Sequence, residues 1–210
     1  MKNLQDFFTS TVGQIIIVAV ILLLFLLILK LGKNKKTDTK ALATSAILVA
    51  LGTALGYITL FKMPYGGSVT PFSLLAIVLA GYFLGVKNGV MVGMCVGLLN
   101  LLFNPYIIHP LQLLLDYPIA FGSLGLGAIF ANKGKYSIFA SYWFGLICRY
   151  LCAVLSGIIF FGSYAPEGFN AVGWSFFYNM TYLGAEGVIT TILLFIPQIR
   201  NTFDKLKEQY

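Results

Sequence analysis

Apolar runs of about 20 residues follow one another along almost the whole chain. That is the length a helix needs to cross ~30 Å of hydrocarbon. The first run covers about residues 12–31, and others follow at about 41–61, 71–86, 88–104, 111–131, 136–161 and 173–197. Breaks between them carry turn chemistry, such as Pro64-Tyr65-Gly66-Gly67, Lys87-Asn88-Gly89, Asn132-Lys133-Gly134-Lys135 and Pro166-Glu167-Gly168. Hydrophobic residues make up 59% of the 210 residues and charged residues 10%. Ordinary soluble domains carry about 25% charge. A single soluble core of this size could not hide so much apolar surface. The expected fold is all-α, a polytopic membrane helix bundle. The 71–86 run is short for a full crossing, so it is tilted or begins inside the loop before it.

The net charge of +7 has a pattern. Lys30, Lys33, Lys35, Lys36, Lys40, Lys87, Lys133, Lys135, Arg200, Lys205 and Lys207 all fall on one side when the spans alternate. Only Lys2 and Lys62 fall on the other. The positive-inside rule then puts the amino end outside and the carboxyl end in the cytoplasm of a plasma-membrane protein. Nothing resembles a basic groove with interleaved aromatics, so nucleic acid is not an expected partner. Cys95, Cys148 and Cys152 lie inside apolar segments without zinc-ligand spacing, and no metal site is expected. The chain has no nucleotide-binding glycine pattern. It also lacks clustered carboxylates, a zinc helix and a Ser/His/Asp set, which argues against a membrane enzyme. Two classes remain on the residues alone: a substrate-binding transport subunit, and an autonomous ion-coupled carrier of a small cation.

A charged side chain inside a span costs at least ~2.5 kcal/mol on insertion scales, so each needs a reason. Three such residues are Asp116, Arg149 and Glu186. At ~1.5 Å per helical residue, Asp116 sits about 7 Å below the outer end of its span, Arg149 about 18 Å and Glu186 about 20 Å. Arg149 and Glu186 share a level on consecutive spans, and a structural ion pair between them is expected. Asp116 has no such cation and is placed to balance a cationic ligand. Tyr65, Tyr106, His109, Phe161, Tyr164, Phe169, Trp174, Tyr178 and Tyr182 gather at outer ends, some of them as an interfacial belt. Those between 161 and 182 come with Asn179, whose amide needs partners. His109, beside Pro110, reads as a loop or capping residue rather than a metal ligand or catalytic base. Ala46, Ala50 and Ala54 share one helix face, where another helix could approach closely.

The stretches Pro64–Thr70 (PYGGSVT), His109–Pro118 (HPLQLLLDYP) and Tyr164–Gly168 (YAPEG), with Tyr178-Asn179 and Glu186, resemble the thiamin-specific S components of energy-coupling factor (ECF) transporters. The resemblance covers about residues 40–197. It implies a six-helix core at 41–197; the first apolar run lies outside it and reads as one extra N-terminal transmembrane helix in a 1–40 segment, with 198–210 as a cytoplasmic tail. It also implies a vitamin-binding membrane subunit without enzymatic activity, partnered by a transmembrane coupling subunit and two cytoplasmic ATPases. No cofactor is implied beyond thiamin, or a thiamin-like cation, as cargo. The alanine face of Ala46, Ala50 and Ala54 would dock to the coupling subunit. The resemblance places Asp116 beside the thiazolium, with Tyr117 next to it. Phe161 and Trp174 become aromatic walls, and Asn179 a partner of the aminopyrimidine. Tyr65, Gly66, Gly67 and Ser68 fall in a lid-like loop, and Tyr164, Tyr178 and Glu186 complete the expected site. This chain has Phe161 where some members have tryptophan, and Ala153 where they have a histidine. Those departures leave room for a thiamin precursor or another vitamin as the cargo.

Overall fold

The computed structural model describes residues 39–103 and 105–210, with scattered positions between 10 and 30. The expected first span and its basic linker lie for the most part outside the described residues. The rest forms α1 (Thr39–Tyr57), a short hairpin of β1 (Phe61–Lys62) and β2 (Ser68–Val69), α2 (Ser73–Leu84) and α3 (Val86–Phe103). There follow the composite helix α4 (Pro110–Phe130), α5 (Ser137–Phe160), α6 (Ala171–Phe195) and α7 (Pro197–Lys207). Among the described residues, α1, α3, α4 and α5 are each long and apolar enough to cross a membrane, and α6 meets α7 at an 87° bend. The structure is thus the all-α membrane bundle that the apolar runs announce.

The short 71–86 run has a simple explanation. All of α2, 12 residues long, is buried. It touches protein on every side, so it need not match the hydrocarbon thickness. Ile77 and Val78 on it, Leu124 on α4, Ile138 and Tyr142 on α5 and Leu194 on α6 belong to one core. The large exposed side chains are apolar as well: Leu42, Ile47 and Leu51 on α1, Leu98 and Leu102 on α3, Ile147 and Leu151 on α5, and Phe177, Met180 and Ile192 on α6. A water-soluble fold would leave no such girdle, whereas lipid solvates it.

Close backbone contact fixes the position of α4. Gly89, Gly93 and Gly97 recur every fourth residue of α3. A Cβ at Gly97 would lie 2.4 Å from the carbonyl oxygen of Tyr117, and one at Gly93 would lie 2.3 Å from that of Phe121. Only glycine permits this approach. The facing stretch of α4 is not regular: Leu115–Ile119 is a π turn with Pro118 inside it. Proline lacks the N–H that an α ladder would use there, and π turns of this kind occur mostly at functional sites.

The 198–210 segment, read from sequence as a tail, is structured. It forms most of α7 and packs back on the bundle. The Tyr82 hydroxyl donates to Asp204 at 2.7 Å, the Lys207 ammonium donates to the Ala131 carbonyl, and the Phe83 and Tyr210 rings stack 6.4 Å apart.

Candidate functional site

Three loops and five helices close around a cavity of about 470 Å³. Its rim is the hairpin loop before α2, the 105–109 loop before α4 and the 161–169 loop after α5. Its walls come from α1, α3, α4, α5 and α6. Asp116, Tyr117, Trp174, Asn179, Phe161, Tyr164, Tyr65, Gly67 and Tyr178 all line it. These residues span more than 100 positions of sequence, and the fold brings them to one chamber.

The hairpin loop turns sharply, with Tyr65 at φ 63° and Gly66 at φ 96°. The strand pairs Phe61 with Val69 and Lys62 with Ser68, which leaves Tyr65 at the tip. There its ring lies 5.0 Å from that of Tyr164 and 6.5 Å from that of Tyr178. The Tyr178 hydroxyl latches the loop: it accepts from the Gly67 N–H at 3.0 Å and donates to the Pro64 carbonyl. Across the rim, the Tyr106 and Phe161 rings stack 5.9 Å apart. His109 caps α4, accepting from the Leu111 N–H at 3.2 Å, one of the two roles that its place beside Pro110 allows.

Asp116 comes from the π turn of α4 and faces the cavity. The Gln112 amide donates to its Oδ2 at 2.6 Å. Among the described residues no salt bridge reaches it. The carboxylate is half-buried, faces the chamber and is bonded to a neutral amide rather than to a cation.

Asn179 lines the cavity, but its amide already has partners. Nδ2 donates to the Ser175 carbonyl at 2.8 Å, with longer contacts to Ala153 and the Ser175 hydroxyl, and Oδ1 accepts from Tyr182 at 2.9 Å. These bonds fix the seam between α5 and α6, where a Cβ at Gly157 would meet the Ser175 hydroxyl at 2.1 Å.

The expected pair of Arg149 and Glu186 does not form. Glu186 is fully buried and does not line the cavity. Its Oε2 accepts from the Thr70 hydroxyl at 2.7 Å and the Thr70 N–H at 3.3 Å. Its Oε1 accepts from the Leu74 N–H at 3.1 Å and the Ser73 hydroxyl at 3.2 Å. The reason lies at the start of α2. The first N–H groups of a helix have no partner within it, and its N-terminus carries partial positive charge. The N-cap position is Phe72, at φ 64°, which offers no side-chain cap. Glu186 supplies that cap from another helix.

Arg149 is instead a cavity residue. Its guanidinium lies over the Phe121 ring, 3.7 Å from the centroid. Its Nε and Nη1 have no hydrogen-bond partner, and Ser156 lines the same cavity from the same helix. Sequence reasoning spent Arg149 on a structural pair. Gln112 was passed over as a neutral member of a motif.

Comparison with known proteins decides the family. The pattern of the thiamine transporter protein family (Thia_YuaJ) matches residues 42–205. The chain is 34% identical over 176 residues to a protein of Bacillus subtilis (strain 168) named thiamine transporter ThiT, covering 77% of this chain and 91% of that one. A thiamine transporter ThiT of Lacticaseibacillus paracasei is 28% identical over 172 residues, covering 72% and 81%. The chain belongs to the thiamine transporter protein family. The fold agrees: a solved structure of ThiT from Listeria monocytogenes superposes with a TM-score of 0.65 at 23% identity, covering 80% of this chain and 96% of that one. The family match includes every residue of the cavity and begins after the first apolar run.

Proposed function

We propose that this membrane protein is the vitamin-binding subunit of an ECF-type uptake transporter. It takes thiamin, or a closely related flat cation, in the cavity at its rim of loops. The observation that carries the reading is the chamber itself: an Asp116 carboxylate without a salt bridge, walled by tyrosine, tryptophan and phenylalanine rings.

The chemistry of the cargo suits the chamber. Thiamin joins a permanently charged thiazolium to an aminopyrimidine. Asp116 balances the first. Aromatic faces hold a cation by about 0.5–2 kcal/mol each, more when water is excluded. The second ring needs both donors and acceptors. Arg149 offers unused donors at Nε and Nη1. The Asn179 oxygen, which already accepts from Tyr182, keeps a second lone pair for an amino group. Tyr117, Tyr164 and Trp174 close the sides. With Ala153 in place of a histidine on the α5 wall, Arg149 and Phe161 provide the flat surfaces there.

The remaining parts of the reading concern partners. Ala46, Ala50 and Ala54 are exposed along one face of α1, which suits close approach of a helix from a transmembrane coupling subunit. Two cytoplasmic ATPases would supply the energy, with the carboxyl end of the chain on their side of the membrane.

The test is a titration of purified protein with thiamin, read by tryptophan fluorescence. Trp174 lines the cavity and Trp143 does not. With Trp143→Phe the remaining signal reports the site, and saturable quenching is the expected result. Proteoliposomes then separate the transport classes. Uptake should require ATP and the partner subunits, and substituting Ala50 with tryptophan should abolish uptake while leaving binding intact. Uptake by this chain alone, driven by an ion gradient, would replace the subunit reading with that of an autonomous carrier.

A further inference from the structure

Gln112 is almost completely buried, at 1% exposure, inside a membrane protein. Every polar atom of its amide is engaged. Oε1 accepts from the Ile108 N–H at 3.2 Å. Nε2 donates to the Tyr106 carbonyl at 3.1 Å and to Asp116 Oδ2 at 2.6 Å. The amide cannot be turned over. A flipped amide would set oxygen against the Asp116 carboxylate and the Tyr106 carbonyl, and nitrogen against the Ile108 N–H. Its direction is fixed by three partners, and two of these lie in the rim loop before α4.

The same loop is tied a second time. The Tyr106 N–H donates to the Tyr117 hydroxyl at 2.8 Å. The Tyr106 ring in turn stacks on Phe161 and covers Gly66, where an added Cβ would lie 3.3 Å from the ring. Gln112 therefore sits between the counter-charge and the aromatic rim. Its donation falls on Oδ2, and a carboxylate has lone pairs beyond that one bond to offer a ligand.

We propose that Gln112 is a positioning residue that sets charge selectivity: it holds the Asp116 carboxylate towards the cationic ring of the ligand and locks that setting to the Tyr106 rim. The proposal rests on the thiamin reading above. It adds that discrimination between a cationic ligand and its neutral isostere depends on a neutral residue of the cavity wall acting through Asp116.

The experiment compares two ligands on each protein: thiamin, and the neutral isostere in which a thiophene replaces the thiazolium. Affinities are read by fluorescence titration. Wild-type protein should prefer thiamin by about tenfold or more. Gln112→Leu should lose most of that preference, chiefly through weaker thiamin binding, and the isostere should bind nearly as before. In an Asp116→Asn background, Gln112→Leu should change the preference no further. A merely structural role would weaken both ligands by the same factor, and that result overturns the proposal. So does an unchanged preference. If Gln112→Leu yields no folded protein, Gln112→Met, which keeps the length and removes the donor, carries the same comparison. Failure of wild-type protein to bind either ligand sinks the thiamin reading itself, a different outcome from binding without an effect of Gln112.

Discussion

Two carboxylates, Glu186 and Asp116, lie within the apolar helices α6 and α4, and their surroundings could hardly differ more. Glu186 has donors on both oxygens, drawn from Thr70, Ser73 and Leu74, and does not line the cavity. Asp116 has a bond to Gln112 and an open chamber before it. The first acid completes a helix end and has nothing left to offer. The second keeps unused acceptor capacity at a place a ligand can reach. A buried charge in a membrane protein marks function by default. The contrast shows that the sharper criterion is how far the fold itself satisfies the charge.

The largest effect should come from the satisfied acid. Glu186→Ala strips the cap from α2 and leaves buried N–H and hydroxyl groups without acceptors, at about 1–3 kcal/mol for each. Loss of the folded, monodisperse protein in detergent is expected, measured by thermal melting and gel filtration. If Glu186→Ala melts like the wild type and only binding fails, the contrast is wrong. The open acid should behave in the opposite way. Asp116→Asn should leave the ligand-free melting temperature within a few degrees of wild type. Thiamin affinity should fall tenfold or more, about 1.4 kcal/mol. The smallest effect belongs to the latch. Tyr178→Phe removes the hydroxyl that joins Gly67 and Pro64 to α6, a loss of about 1 kcal/mol. It should show as faster thiamin release in stopped-flow fluorescence, with equilibrium affinity changed by only a few-fold.

What the sequence made legible follows from periods and local chemistry. Spans showed as apolar runs, and the turns between them as Gly, Pro and Asn clusters. The place of His109 before Pro110 narrowed it to a loop or a cap, and the bond from Leu111 makes it a cap. Asp116 stood out because a charge in a span needs a partner and none was near in sequence. Depth arithmetic misled at Glu186. It gives the level of a residue along the membrane normal but not the direction in which it points around its helix. The true partners, Thr70 to Leu74, are more than 100 residues away, and two of the four donors are backbone groups that no sequence pattern displays. Arg149 was misread for the same reason. Gly89, Gly93 and Gly97 did carry a readable signal in their spacing of four, and Pro118 inside a span marked the irregular turn beside Asp116. Gln112 carried no signal, since a neutral amide in a polar motif looks like solvent-facing filler until its three bonds are seen.

The complete enclosure of α2 separates this part of the molecule from the bilayer. Changes in acyl-chain length are felt by helices that touch lipid, which tilt or stretch the membrane around them at a modest cost. A helix sheathed in its neighbours has no such boundary to match. With its first turn held by α6, α2 acts as a central post, so the base of the hairpin keeps its position in thin and thick membranes alike.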